Sequence, residues 1–352
     1  MAVQLRKIDE QVMVITGATS GIGLTTARMA AEGGAKLVLA ARNAEALDQL
    51  ASELRLKGTQ VATIAADVGD PAGVERIGQA AMERFGRIDT WVNNAGVSIY
   101  GRNEDVPLED MQRLFQTNYW GVVHGSLEAV KRMKTRGGGA LINLGSEVSD
   151  RSIPLQGIYA ASKHAIKAFT DSLRMELEKD KAPLSVTLIR PAAIDTMYAV
   201  HARNYMDKEP TLPPPVYAPE NVARAILYAA QHPKRDVFVG GASKAISSGS
   251  FAMPRVIDRF MGATMFRQQQ LDQPSSPNRR DALYAPDPRN ELRQRQGMEN
   301  RRVIEHCPYT AVALRSNKFM PALLGAGALF AAWKLSRRKV PKPAFRAAPT
   351  LG

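Results

Sequence analysis

The sequence predicts a doubly wound parallel α/β sheet of about seven strands, followed by a C-terminal extension that carries an apolar helix. Three observations predict it. Short apolar runs alternate with longer amphipathic stretches up to about residue 250, the rhythm of a sheet covered by helices on both faces. Several of the runs are apolar throughout, as strands buried on both faces are. The first run leads directly through a glycine-rich turn into the first helix-like stretch.

In chain order, the expected strands are 12–16 (VMVIT), 36–41 (KLVLAA), 61–67 (VATIAAD), 88–95 (IDTWVNNA), 140–146 (ALINLGS), 184–191 (LSVTLIRP) and 236–241 (DVFVGG). Helix-like segments cover 21–32, 43–56, 71–85, 108–134, 157–180 and 219–231. With right-handed crossovers, ligands are expected at the carboxyl ends of the strands. A single catalytic domain is expected over 1–250. A polar extension or linker over 251–310 holds Pro274, Pro277, Pro286 and Pro288 and shows little apolar periodicity. An apolar helix follows over 311–335, then a basic tail over 336–352.

Composition excludes several classes. The 352 residues suffice for a sizeable core, and 45% hydrophobic with 23% charged residues is ordinary for a globular chain. One cysteine, Cys307, excludes an internal disulfide framework. Five scattered histidines without an HExxH spacing give no reason to expect a metal. The opening MAVQLRKIDE has no apolar core of a secretory signal, so a cytoplasmic location is expected. The net charge of +13 is concentrated: residues 255–352 hold 18 Lys and Arg against 7 Asp and Glu, leaving 29 against 27 in the rest. The globular part therefore gives no electrostatic reason to expect nucleic acid.

The turn Thr16-Gly17-Ala18-Thr19-Ser20-Gly21-Ile22-Gly23 suits a diphosphate. Its glycines let the backbone approach closely, and the helix start that follows offers N–H donors and a positive dipole. Together with Asp67-Val68, Asn93-Asn94-Ala95-Gly96, Asn118, Ser146 and Tyr159-Ala-Ala-Ser-Lys163, it resembles the short-chain dehydrogenase/reductase family over residues 10–245. The resemblance implies an NAD(P)-dependent oxidoreductase on one Rossmann-type domain. It also implies that Asp67 meets the adenine amino group with Val68 beside the ring, and that Asn94, Ala95 and Gly96 line the cofactor or brace the sheet. Where an acid after the second strand would select NAD(H), this chain has Ala40-Ala41-Arg42-Asn43. The acid is missing and a guanidinium, well suited to a 2′-phosphate, stands there. NADP(H) is thus expected over NAD(H), the alternative being a solvated arginine at a strand end.

Tyr159 and Lys163 are four residues apart on a helical pattern and so share one helix face. A phenol with an ordinary pKa of about 10 needs help near neutrality, and an adjacent ammonium supplies it. Ser146 ends an apolar strand at the ligand-facing edge and could hold a carbonyl oxygen against the tyrosine. By resemblance, Asn118 positions a water that relays protons to Lys163, which also grips the nicotinamide ribose; otherwise Asn118 is a buried amide satisfying backbone. In this reading hydride reaches a carbonyl carbon while Ser146 polarises the oxygen and Tyr159 donates the proton. After the sixth strand the chain reads Pro191-Ala192-Ala193-Ile194-Asp195-Thr196, with Ala192 where the family commonly has glycine. Pro191, Ile194 and Thr196 are nonetheless expected against the nicotinamide.

The substrate side is expected around Ser146, Ile153 and Tyr198, within an apolar set that includes Ile99, Tyr100, Leu155, Met197, Tyr205, Met206 and Tyr217. This composition suggests a lipophilic carbonyl or alcohol. The charge-free run 319–333 is shorter than a bilayer core and is followed by six basic residues. Residues 311–346 are therefore expected on a membrane surface at its cytoplasmic face, the alternative being a helix packed on the domain or on a dimer partner. The family resemblance implies a homo-oligomer. The rival functional reading is a catalytically silent dinucleotide sensor acting through its tail.

Overall fold

The computed structural model describes residues 3–297 and 302–315. The charge-free run 319–333 and the basic tail, with the membrane reading attached to them, lie outside the described residues.

The seven expected strands form one parallel sheet. They are β1 (Val12–Thr16), β2 (Lys36–Ala41), β3 (Val61–Ala65), β4 (Thr90–Asn93), β5 (Gly139–Leu144), β6 (Leu184–Pro191) and β7 (Asp236–Val239). The order across the sheet is β7-β6-β5-β4-β1-β2-β3. Strand order reverses between β1 and β4. A crevice opens there, outside the carboxyl ends of the strands.

The period of two along β1 divides the core. Met13 and Ile15 pack with helices α1 (Gly21–Glu32) and α2 (Ala44–Leu56) and with α8 (Pro219–Ala229), through Leu24, Leu47, Leu50 and Ile226. Val12 and Val14 face the opposite layer, α3 (Pro71–Phe85), α5 (Gly121–Met133) and α6 (Gly157–Lys179), through Ile77, Trp91, Met133 and Leu173. Each such fully buried aliphatic side chain contributes roughly 1.5–3 kcal/mol over its exposed state. Local signals set the helix starts. The Asn43 side chain caps α2 by accepting from the Ala46 N–H at 3.1 Å. Asp70 caps α3 with Pro71 at its first position.

One expected helix is broken. The stretch 108–134 forms α4 (Leu108–Phe115), a π-helical turn over Gln116–Trp120, and then α5. The wide turn carries Asn118, which bonds the backbone of Val97 and the Ser162 hydroxyl.

The polar extension is not a loose linker. After β7 come helices α9 (Gly241–Ala252) and α10 (Pro254–Gln268), α7 (Tyr198–His201) having preceded α8. Gln270–Pro274 then pairs antiparallel with Lys208–Pro210. Residues 281–297 run back across the carboxyl ends of the strands, and Val303–Ile304 adds to a small parallel sheet with Val216–Tyr217 and Ala193–Ile194. Residues 308–315 are helical, and Cys307 and Leu314 join the main core. The first residues of the expected apolar helix therefore pack on the domain. No helix among the described residues is long and apolar enough to cross a membrane.

Candidate active site

The floor of the crevice is the turn between β1 and α1. Gly17 has φ +65°, and a Cβ there would lie 2.8 Å from the Ala95 Cα. A Cβ on Gly23 would run into the Gly17 carbonyl oxygen. Only glycine allows this approach of the turn to the end of β4. Asn94 locks it: its Nδ2 donates to the carbonyls of Thr16 (2.9 Å) and Gly17 (3.2 Å), while the Thr16 hydroxyl accepts from the N–H groups of Asn94 and Ala95. Of its two expected roles, Asn94 takes the bracing one with its side-chain nitrogen. Thr196 sits against Gly21 at the start of α1 and accepts from the Tyr198 N–H at 3.3 Å.

The crevice is divided into two cavities. One is lined by Ile22, Asn94, Gly96, Pro191, Ile194 and Thr196 on one side and by Ser146, Ile153, Tyr159, Lys163 and Tyr198 on the other. The second is lined by Gly17, Thr19, Ser20, Arg42, Asp67, Val68, Ala95 and Gly96. Every residue expected at the cofactor thus lies in one of the two walls or, like Thr16, Gly21 and Gly23, in the turn beneath them.

Three of the four catalytic candidates, Ser146, Tyr159 and Lys163, meet in the first cavity, whereas Asn118 is not in its lining. Ser146 caps the short turn after β5, and its Oγ accepts from the Val148 N–H at 3.3 Å. Both Ser146 and Tyr198 hydrogen-bond the Tyr159 hydroxyl. The Lys163 Nζ lies 5.6 Å from the Tyr159 ring centroid and donates to the Leu144 carbonyl at 2.8 Å. Burial pushes the Tyr159 phenol up to about 12; the bonds to Tyr198 and Ser146 oppose the rise, and the Glu147 charge adds to it. Burial lowers Lys163 to about 8. Asn118 is fully buried and spends its amide on the Val97 backbone (2.8 and 3.0 Å) and on the Ser162 Oγ (3.2 Å).

Three neighbours escaped sequence reading. The Tyr198 hydroxyl accepts from the Ser98 Oγ at 2.7 Å and donates to the Gln156 Oε1 at 2.6 Å, and Gln156 in turn bonds Gln269 of the extension at 2.6 Å. Ser98 and Gln156 carry no motif that would mark them. Glu147, next to Ser146, lines the same cavity, and its carboxyl has no hydrogen-bond or ion-pair partner among the described residues. Burial raises it to about 7. Its adjacency to Ser146 was the one signal available. By contrast, Tyr100 is fully buried edge-on to Tyr198, and the Tyr205 hydroxyl goes to Asp110.

The second cavity is roofed by residues 281–297. The Arg293 carbonyl accepts from the Gly21 N–H at 3.0 Å, and the Leu292 N–H donates to the Thr19 carbonyl at 2.8 Å. Arg42 donates to the carbonyls of Leu283 (3.2 Å) and Ala282. Arg113 bonds Asp67 and the Leu283 carbonyl. Burial works against ionising Asp67, but Arg113 and the Gly69 N–H hold its carboxyl below the usual range. The donors are of the kind that hold a dinucleotide, and the extension takes up two of them. The helix-start N–H and the guanidinium each find a backbone carbonyl where phosphate oxygens would be expected. Thr117 Oγ1 and His201 Nε2, both in this wall, are buried without any partner.

Comparisons with known proteins identify the family. The model of the short chain dehydrogenase family matches residues 11–206. The uncharacterized oxidoreductase YxnA of Bacillus subtilis is 52% identical over 80% of this chain and 80% of its own. Dehydrogenase/reductase SDR family member 7B of Bos taurus is 38% identical over 55% of this chain and 61% of its own. Among solved structures, an alcohol dehydrogenase from Thermococcus sibiricus complexed with 5-hydroxy-NADP superposes with a TM-score of 0.57 at 29% identity, covering 65% of this chain and 95% of that one. A short-chain dehydrogenase from Streptomyces avermitilis shares the fold, with a TM-score of 0.62 at 23% identity, over 73% of this chain and 97% of its own. The glycine turn, the Ser–Tyr–Lys cluster and these matches place the chain in the short-chain dehydrogenase/reductase family of oxidoreductases.

Proposed function

We propose that this protein is an NADP(H)-dependent carbonyl reductase, or the corresponding alcohol dehydrogenase, acting on a largely lipophilic small molecule. The observation that carries the reading is the convergence of Ser146, Tyr159 and Lys163 on one cavity with Thr196, which packs against the glycine turn. The dinucleotide would be held by the turn from Thr16 to Gly23, by Arg42 and Asp67 in the second cavity, and by Lys163, Ile194 and Thr196 in the first. When bound it supplies or accepts a hydride.

The chain's own residues handle the oxygen and its proton. The Ser146 and Tyr159 hydroxyls converge on the place for a carbonyl oxygen, so both donate there as negative charge develops. A phenol raised to about 12 is protonated at neutral pH and suited to give its proton to that oxygen. Lys163, lowered to about 8, yields and regains a proton at little cost and so can reload Tyr159. Tyr198, braced by Ser98 and Gln156, fixes the phenol from its other side.

Arg42 favours NADP(H), in keeping with the NADP analogue held by the archaeal relative. Ile153, Val148, Leu212 and Tyr198 favour an apolar substrate, and Glu147 adds a single acceptor at the wall for a donor group on it. We assign residues 316–346 to an anionic membrane surface, read by flotation of the full chain with and without residues 316–352. The chain is taken to be a homo-oligomer, read by light scattering. The deciding experiment is NADPH oxidation with a panel of aryl and long-chain aldehydes and ketones. Reduction with retained preference for apolar members is expected. NADPH binding without turnover of any member would favour the silent-sensor reading.

A further inference from the structure

The cavity beneath the extension holds three polar atoms that are buried and lack a hydrogen-bond partner: Thr117 Oγ1, His201 Nε2 and Glu291 Oε2. Thr117 precedes Asn118 in the π-helical turn, and His201 ends α7. Glu291 comes from the extension, 249 residues beyond Arg42 in sequence. Buried polar atoms are normally paired, so three of them on residues that line one cavity point to a polar ligand there. Glu291 is the only acid of the three. One of its oxygens bonds Thr19, and the Arg42 charge acts on it across the cavity. Burial pushes its carboxyl up, while Thr19 and Arg42 hold it down.

The side chain is not what fastens the extension. Leu292 and Arg293 do that through their backbone to Thr19 and Gly21, Gln294 bonds Thr25 and Arg28, and Arg295 pairs with Glu220 and Glu305. Glu291 is left facing the cavity. The end of β2, at Ala41-Arg42, has no acid, and this carboxyl stands across from it.

We propose that Glu291 is a cofactor-selecting residue. Carried in by the extension, it supplies the negative charge that the end of the second strand lacks. Its unpartnered oxygen accepts from the adenosine ribose hydroxyls, and its charge competes with a 2′-phosphate for Arg42. The preference for NADP(H) set by Arg42 is therefore narrowed, and NAD(H) is bound as well. This rests on the dinucleotide reading above and deepens it.

The test is direct binding to the full chain. NADPH and NADH are titrated by fluorescence, and 2′,5′-ADP and 5′-AMP, which fill only the adenosine half, by calorimetry. Glu291→Gln should raise the NADPH-to-NADH affinity ratio about tenfold, because a like charge beside the phosphate is removed. The ratio of 2′,5′-ADP to 5′-AMP should rise in step. Glu291→Asp, which withdraws the charge by one methylene and keeps the fold, should give a smaller change in the same direction. Unchanged ratios with both dinucleotides still bound would overturn the selecting role and leave the dinucleotide reading intact. Failure of the wild-type chain to bind any of the four probes would overturn both.

Discussion

The two cavities of the crevice are built by different rules. The cavity proposed for nicotinamide and substrate is walled mainly by β5, α6 and the segment after β6, with Ser146, Tyr159 and Lys163 fixed by a strand end and a helix face. The cavity proposed for adenosine is floored by the glycine turn but roofed by residues 281–297, whose backbone carbonyls engage Gly21 and Arg42. The difference teaches where each property is held. Ser146, Tyr159 and Lys163 are fixed by a strand end and a helix face, whereas the second cavity is closed by a segment that lies outside the sheet.

Substitutions in the two halves should separate along that line. The largest effect is expected for Tyr159→Phe. Loss of the proton donor should lower kcat/KM by roughly 10²–10⁴-fold while leaving NADPH affinity nearly unchanged. Steady-state rates and a binding titration check both parts, and full turnover would sink the proposed mechanism. Arg42→Ala should act in the other half: NADPH affinity falls about 10- to 100-fold, the worth of a charge-assisted contact, while NADH affinity holds. An equal loss for both cofactors would mean that Arg42 serves only to hold the extension.

Glu147→Gln tests the substrate half by stability. Its carboxyl titrates near 7 in the folded protein, against an ordinary value near 4.5. The folded state therefore binds more protons than the unfolded one between those values, and stability falls as pH rises from about 4.5 to 7. The cost above that window is on the order of 3 kcal/mol. The glutamine variant should lose this slope and melt higher than the wild type at pH 8. Parallel melting curves across pH 4.5–8 would refute it.

The smallest effect is expected for Arg295→Ala. Releasing Glu220 and Glu305 should cost about 1 kcal/mol or less, with little change in melting temperature. Amide exchange over 281–297 and the cofactor off-rate should nonetheless both rise. Unchanged exchange would mean that other contacts alone hold the roof.

Much of this was legible in the sequence. All seven strands are where apolar runs of five to eight residues place them. Tyr159 and Lys163 share a helix face because four residues are about one helical turn. The breaks in legibility are equally specific. The interruption at Gln116–Trp120 carries no proline or glycine within it, so a continuous helix was the natural expectation. Helix α10 hides in a region whose polar composition suggests an irregular extension.

The sequence by itself determined the sheet, the glycine turn and the spacing of the candidate catalytic side chains, because each follows from a period or a steric rule acting within a few residues. Only the tertiary structure decided that Tyr198 would meet Tyr159, that Gln156 would bond Gln269, and that Arg42 would meet the carbonyls of Ala282 and Leu283 across 240 and 241 residues of chain. Contacts at that separation leave no periodic trace. They are chosen by which surface the extension can cover while satisfying its own backbone, and here that surface is the open side of the crevice.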